Sequence, residues 1–191
     1  MWRSTVPKIL DRYGGRSIGV DVPSGFGMSF KPGTIMYDGT RLPVRPRRID
    51  WVLAIEVCEH VPNLESLLDE LKLTLKEGGL LFITTPWSAR VHYEPNDFLR
   101  PTPYLIDLLL RERGFELAWR GSRGNLASVL FNKLTISVID NLRKPCLASG
   151  SIVLSLPLLF VLWPFTFVKA SKRAALSSDP LGFSFLYRKI A

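Results

Sequence analysis

The sequence predicts an α/β fold: a mainly parallel sheet with helices on both faces. Two observations carry this. Short β-branched runs alternate along the chain with stretches whose leucines recur at helical spacing, as βαβ units require. One of those runs, IDWVLAIEV (49–57), is apolar on both faces, the pattern of a central parallel strand. Composition agrees, since 191 residues at 47% hydrophobic suit one sizeable core with an appendage.

The elements follow in order. RSIGVDV (16–22) is a strand ending in Asp21, and the Gly-, Pro- and Ser-rich residues 23–33 form a loop. TIMYDGTRLPV (34–44) gives a short strand and an Asp-Gly turn. After the strand at 49–57, Pro62 and Asn63 open a helix with leucines at 64, 67, 68, 71 and 75, and Gly78-Gly79 is its expected stop. GLLFITTP (79–86) is the next strand. Thr102-Pro103 has the cap-then-proline start of a helix reaching Arg113, with Gly114 as its stop. FELAWRG (115–121) is a further strand.

In open α/β sheets, ligands bind beyond the carboxyl ends of the strands. Strands here deliver Asp21, Asp38 and Glu56 to that edge, and Glu56 is followed closely by Glu59 and His60. Charge is less telling. Lys and Arg number 25 against 17 acids, a formal charge of +8, which admits anionic partners and specifies none; no specific nucleic-acid partner is expected. Cys58 and Cys146 lack the spacing of a zinc site or a disulfide framework, so no metal is expected and a reducing cytoplasm is the simplest setting. MWRSTVPKILDRYGG has no apolar core of signal-peptide length, which agrees with a cytoplasmic location.

Five blocks, SIGVDV, YDGTRLPV, IDWVLAIEVCEHVPN, LKEGGLLFITTPW and HYEPNDFLRPTPYLIDLLLRERGFE, cover residues 16–117. Their order and spacing resemble the class I S-adenosylmethionine-dependent methyltransferases, particularly the methyltransferase-11-like group. DPLGFSFLYRK is similar to that family's closing strand. The resemblance implies a Rossmann-like methyltransferase sheet, S-adenosylmethionine as cofactor and methyl transfer as the reaction. It implies that Asp21 accepts from both ribose hydroxyls, that Val22 lies against adenine, and that Asp38 accepts from the adenine amino group beside Gly39. Glu56 stands where the family places a residue beside the methionine moiety. Read from the residues alone, Asp21 and Asp38 are equally turn formers, and Glu59 and His60 read as the start of a helix, a role placed ahead of catalysis for His60.

The chain departs from the family at its start. The family's first strand and Gly-rich loop should precede SIGVDV, yet MWRSTVPKILDRYGG reads as the helix that would follow them. The expectation is a sheet lacking its first strand, with apolar edges exposed where the neighbouring strands would meet it. Residues 1–124 are then a partial core, 125–180 an apolar helical insertion and 181–191 the closing strand. The rival to an enzyme is a non-catalytic relic of the fold that binds a partner chain.

Two segments remain. HYEPNDFLRPT (92–102) crowds His92, Glu94, Asp97 and Arg100 into a substrate-facing loop directly after a strand. Methyl transfer needs alignment and often removal of an acceptor proton; imidazole suits that task, so His92 is the candidate base with Asp97 or Glu94 orienting it. Asp97 and Arg100 can also simply pair and pin the loop. SIVLSLPLLFVLWPFTFV (151–168) carries no charge and precedes KASKR. It is borderline for one span and too short for two, and Pro157 and Pro164 interrupt it. If the closing strand returns to the sheet, the segment lies on or dips into one leaflet at the inner face of the membrane, anchored by Lys169, Lys172 and Arg173, or packs as a helical lid. The acceptor is accordingly a small molecule or one linked to lipid or glycan.

Overall fold

The computed structural model describes residues 16–22, 34–143, 149–166 and 179–190. Their strands fall into two sheets. Strands β1 (Gly19–Asp21) and β2 (Thr34–Met36) pair in parallel. Strands β3 (Ile49–Ile55), β4 (Leu75–Pro86), β5 (Phe115–Arg123) and β6 (Gly182–Lys189) form the second sheet in the order β3-β4-β6-β5. β3 and β4 are parallel, and β6 runs antiparallel between β4 and β5. The closing strand thus joins the sheet, as the sequence led one to expect.

Helix α1 (Leu64–Thr74) is the crossover from β3 to β4, and α2 (Pro103–Glu112) leads from β4 to β5. Both begin for local reasons. The Asn63 side chain accepts the Ser66 N–H at 3.0 Å, and the Thr102 hydroxyl accepts the Leu105 N–H at 3.2 Å, satisfying donors that a helix start leaves orphaned. α1 buries Leu64, Leu67, Leu68 and Leu71, and α2 buries Ile106, Leu109 and Leu110. These leucines meet Leu81 and Ile83 of β4 and Phe185 and Tyr187 of β6 in one core. Each such side chain contributes about 1.5–3 kcal/mol by leaving water.

Two sequence expectations are corrected. Gly78-Gly79 does not stop α1, which ends at Thr74; the glycines lie within β4. Ile49 of β3 faces Leu75 but Trp51 already faces Leu80, so the extra residues of β4 bulge out, with Gly78 at φ +74°. The carboxyl end of α1 is closed instead by Lys189, whose Nζ donates to the carbonyls of Lys72 and Leu75 at 3.2 and 3.0 Å. β3 is also not buried on both faces. Among the described residues it has a ladder on one side only, to β4, and Trp51 and Leu53 are 57% and 40% exposed.

Helices α3 (Leu126–Arg143) and α4 (Ser149–Thr166) lie between β5 and β6 in the chain and pack on each other, with Phe131 and Trp163 edge to face at 6.5 Å. α4 is the apolar segment, with Pro157 and Pro164 inside it. Its Phe160 is 82% exposed, and Leu158, Val161, Trp163 and Phe165 also face outward. No helix among the described residues is long and apolar enough to cross a membrane. The N-terminal helix expected before Arg16, the loop at 23–33, Cys146 and the basic run KASKR lie outside the described residues.

Candidate active site

Strand ends gather the candidates into three groups. At the carboxyl ends of β1 and β2, the Asp21 carbonyl accepts the Tyr37 N–H at 3.0 Å, and Asp21 Oδ1 accepts the Val22 N–H at 3.0 Å. Burial, and then the charges of Asp21, Asp38 and Glu70, push the Tyr37 phenol above its ordinary pKa. Asp38 Oδ1 accepts from the Thr40 N–H and hydroxyl at 2.9 and 2.7 Å, and these bonds lower its carboxyl pKa. Gly39 sits at φ +85°, and a Cβ there would stand 3.5 Å from Val22 Cγ1. Asp21, Val22, Asp38 and Gly39 therefore come together, with an Asx turn as the local role of Asp38.

Glu56 belongs to the four-stranded sheet. Its backbone turns to φ +52°, a conformation costing a non-glycine residue about 1 kcal/mol, and the surroundings hold it there. Its N–H donates to Thr84 Oγ1 at 3.0 Å, and its Oε1 accepts from the Thr84 hydroxyl at 2.7 Å and Arg123 Nη2 at 2.6 Å. The turn ends β3 and starts the 3-10 turn Cys58–His60.

The third group joins that turn to the loop after β4. Phe98 donates its N–H to the Glu59 carbonyl at 2.8 Å, and His60 Nδ1 lies 2.6 Å from the Asn96 carbonyl. His92 Nδ1 lies 3.0 Å from the Arg90 carbonyl and 3.2 Å from Asp97 Oδ2. A carbonyl only accepts, so both rings carry a proton on Nδ1 and, as neutral imidazoles, present Nε2 as the acceptor nitrogen. The two imidazoles meet edge to face at 4.9 Å, with Tyr93 beside both. Glu59 is fully buried, and neither of its carboxylate oxygens has a hydrogen-bond partner among the described residues; His60 Nε2 stands 3.7 Å from Oε1. Burial, with Glu56 and Asp97 adding to it, pushes the Glu59 carboxyl up to about 7.

Asp97 is bound on both oxygens. Arg100 donates to both of its oxygens, the Oδ2 bond at 2.7 Å, and the His92 N–H donates to Oδ2 at 2.9 Å. Those bonds, the Arg100 ones first, hold its carboxyl well below the usual carboxylate range. Asp97 pins the loop and touches His92 from behind, while Glu94 is exposed. Sequence reasoning treated Glu59 and His60 as helix starters. It also had no signal that His60 and His92 would meet.

Residues 15–123 match the methyltransferase domain family. A 38-residue stretch is 50% identical to ubiquinone biosynthesis O-methyltransferase of Glaesserella parasuis, covering 20% of this chain and 16% of that protein. Among solved structures, an S-adenosylmethionine-dependent methyltransferase from Archaeoglobus fulgidus superposes with a TM-score of 0.58 at 15% identity, over 98% of this chain and 82% of that one. One from Mesorhizobium loti gives 0.55 at 11% identity, over 98% and 86%. At such identity the likeness is one of fold.

Proposed function

From the premise that this chain belongs to the methyltransferase domain family, we propose that it is an S-adenosylmethionine-dependent methyltransferase acting on a small, lipid-linked or glycan-linked acceptor. The family match over residues 15–123 carries the reading, because it takes in Asp21, Asp38, Glu56 and His92. The donor set suits the cofactor: a carboxylate can accept two hydroxyls side by side, and Val22 beside Gly39 offers an apolar, uncrowded surface for adenine. In this reading Asp21 holds the ribose, Asp38 accepts from the adenine amino group and Glu56 lies by the methionine end. Bound there, S-adenosylmethionine supplies a methyl group on a positively charged sulfur.

The chain's own tasks are alignment and proton removal. His92 takes the acceptor's proton at Nε2, since the Arg90 carbonyl occupies its Nδ1–H. Asp97 is a positioning residue, holding the His92 backbone. The outward apolar face of α4 supports an acceptor met at a lipid surface, on the cytoplasmic side, with the protein lying on one leaflet.

Calorimetric titration of S-adenosylmethionine into the full chain is the test. We expect saturable binding that Asp21→Ala weakens at least about tenfold, or 1.4 kcal/mol. Binding unchanged by that substitution removes the ribose assignment, and the absence of any binding overturns the cofactor reading.

A further inference from the structure

We propose that Glu59, His60 and His92 form a binding site for a divalent transition-metal ion of the zinc type. Among the described residues, the three offer one ligand atom each, all within 4.8 Å of one another. The chain has two histidines in all, and both stand here. Ligands on a tetrahedral ion lie roughly 3.3 Å apart, so the group needs a modest closure about the ion. A change of rotamer at His92, whose side chain is 30% exposed, is enough to bring its ring closer while the loop stays fastened.

Three features separate this cluster from a chance meeting of polar side chains. Each imidazole has its Nδ1–H fixed on a backbone carbonyl, Asn96 for His60 and Arg90 for His92, which is the outer-shell arrangement that orients a metal-binding ring. That leaves Nε2 as the ligand atom on both. The third group is a carboxylate with no solvent exposure and no hydrogen bond to either oxygen among the described residues, a costly state that a cation relieves directly. Two imidazoles and a carboxylate suit zinc and its borderline neighbours better than magnesium or calcium, which prefer an all-oxygen shell.

Three protein ligands leave a position open. In the methyl-transfer reading, an acceptor oxygen would take that position, and the cation would lower its pKa so that its proton could pass to water; His92 would then serve as a ligand, an alternative to its role as base. That use rests on the proposed function; binding of the ion does not. The experiment therefore needs neither cofactor nor acceptor. The full chain, stripped with chelator, is titrated with zinc chloride alone at neutral pH by calorimetry, with cobalt substitution as a spectroscopic check.

The expected result is one ion per chain, a visible cobalt spectrum of tetrahedral type, and at least about tenfold weaker binding in each of His60→Ala, His92→Ala and Glu59→Gln. His92→Ala is the decisive variant if the buried substitution Glu59→Gln does not fold, since His92 lies on a partly exposed loop. No zinc binding, or binding unchanged in His92→Ala, overturns the proposal. Methyl transfer that survives chelator would then leave the base reading of His92 standing, whereas zinc binding without S-adenosylmethionine binding would leave the metal site and remove the proposed function.

Discussion

Removing Arg100 tests whether the loop that carries His92 is held by its part-buried ion pair. The Asp97 side chain is 2% exposed and receives two charge-assisted bonds from Arg100 and one from the His92 N–H. Arg100→Ala deletes the guanidinium and leaves a buried carboxylate with a single backbone donor and the neighbouring His92 ring. Breaking a buried pair from one side costs about 3–5 kcal/mol. Arg100 itself is 22% exposed, so water can enter the space it leaves, which favours the lower end, about 3 kcal/mol. Asp97→Asn leaves only a partly solvated guanidinium and should cost less, about 1–2 kcal/mol. Urea unfolding followed by tryptophan fluorescence measures both, the midpoint falling while the slope stays constant.

The pH dependence follows with a definite sign. The folded Asp97 carboxyl lies below its unfolded value of 3.8, so its contribution is fully present above that pH and is lost as pH falls through the folded value. The stability gap between the wild type and Arg100→Ala should therefore be widest near neutrality and narrow below about pH 4. An Arg100→Ala midpoint equal to wild type at neutral pH would refute the pinning argument, and a gap independent of pH would assign the loss to packing of the Arg100 stem.

Two further outcomes are expected. His92→Ala should lower turnover by roughly two to four decades with S-adenosylmethionine binding nearly intact; survival of turnover with only a raised KM would make His92 a substrate-positioning residue. The protein should bind anionic vesicles, with Trp163 fluorescence as the readout against a Trp163→Phe control because the chain has five tryptophans. High salt should loosen this binding by screening about 1 kcal/mol per basic residue without abolishing it, and deleting 151–168 should abolish it. Complete release by salt would mean that only charges touch lipid.

Local signals were the most legible part of the fold. Thr102-Pro103 and Asn63 act through bonds within three residues, and the leucine spacing of α1 follows helix geometry, so both can be read without knowing a distant partner. Gly78-Gly79 misled because a glycine pair permits a helix stop and a strand bulge alike. The helix end is instead closed ahead of them, in part by Lys189, over a hundred residues away. β3 misled for a related reason. Its apolar residues record the neighbours a strand is suited to have, while its exposure records those beside it among the described residues. The site divides similarly: Asp21, Val22, Asp38 and Gly39 lie where strand order alone puts them. The company of Glu59 depends on contacts between loops some thirty-five residues apart.

Those contacts explain why the chain invests its apolar strand in delivering acids to one point. A base or a ligand works only if held to a fraction of an ångström, and a surface loop alone does not provide that. Here the strand end supplies rigidity in two steps. Glu56, turned to positive φ and bound to Thr84 and Arg123, anchors the chain to β4 and β5 as it leaves the sheet. The turn that follows then fastens the His92 loop from below, through the Phe98 N–H on the Glu59 carbonyl and the His60 ring on the Asn96 carbonyl, while Asp97 and Arg100 close the loop on itself. His92 thereby inherits the order of the sheet without belonging to it. The strain at Glu56 and the buried Glu59 carboxyl, which no hydrogen bond among the described residues satisfies, both lie on this path, where local stability gives way to the placement of His60 and His92.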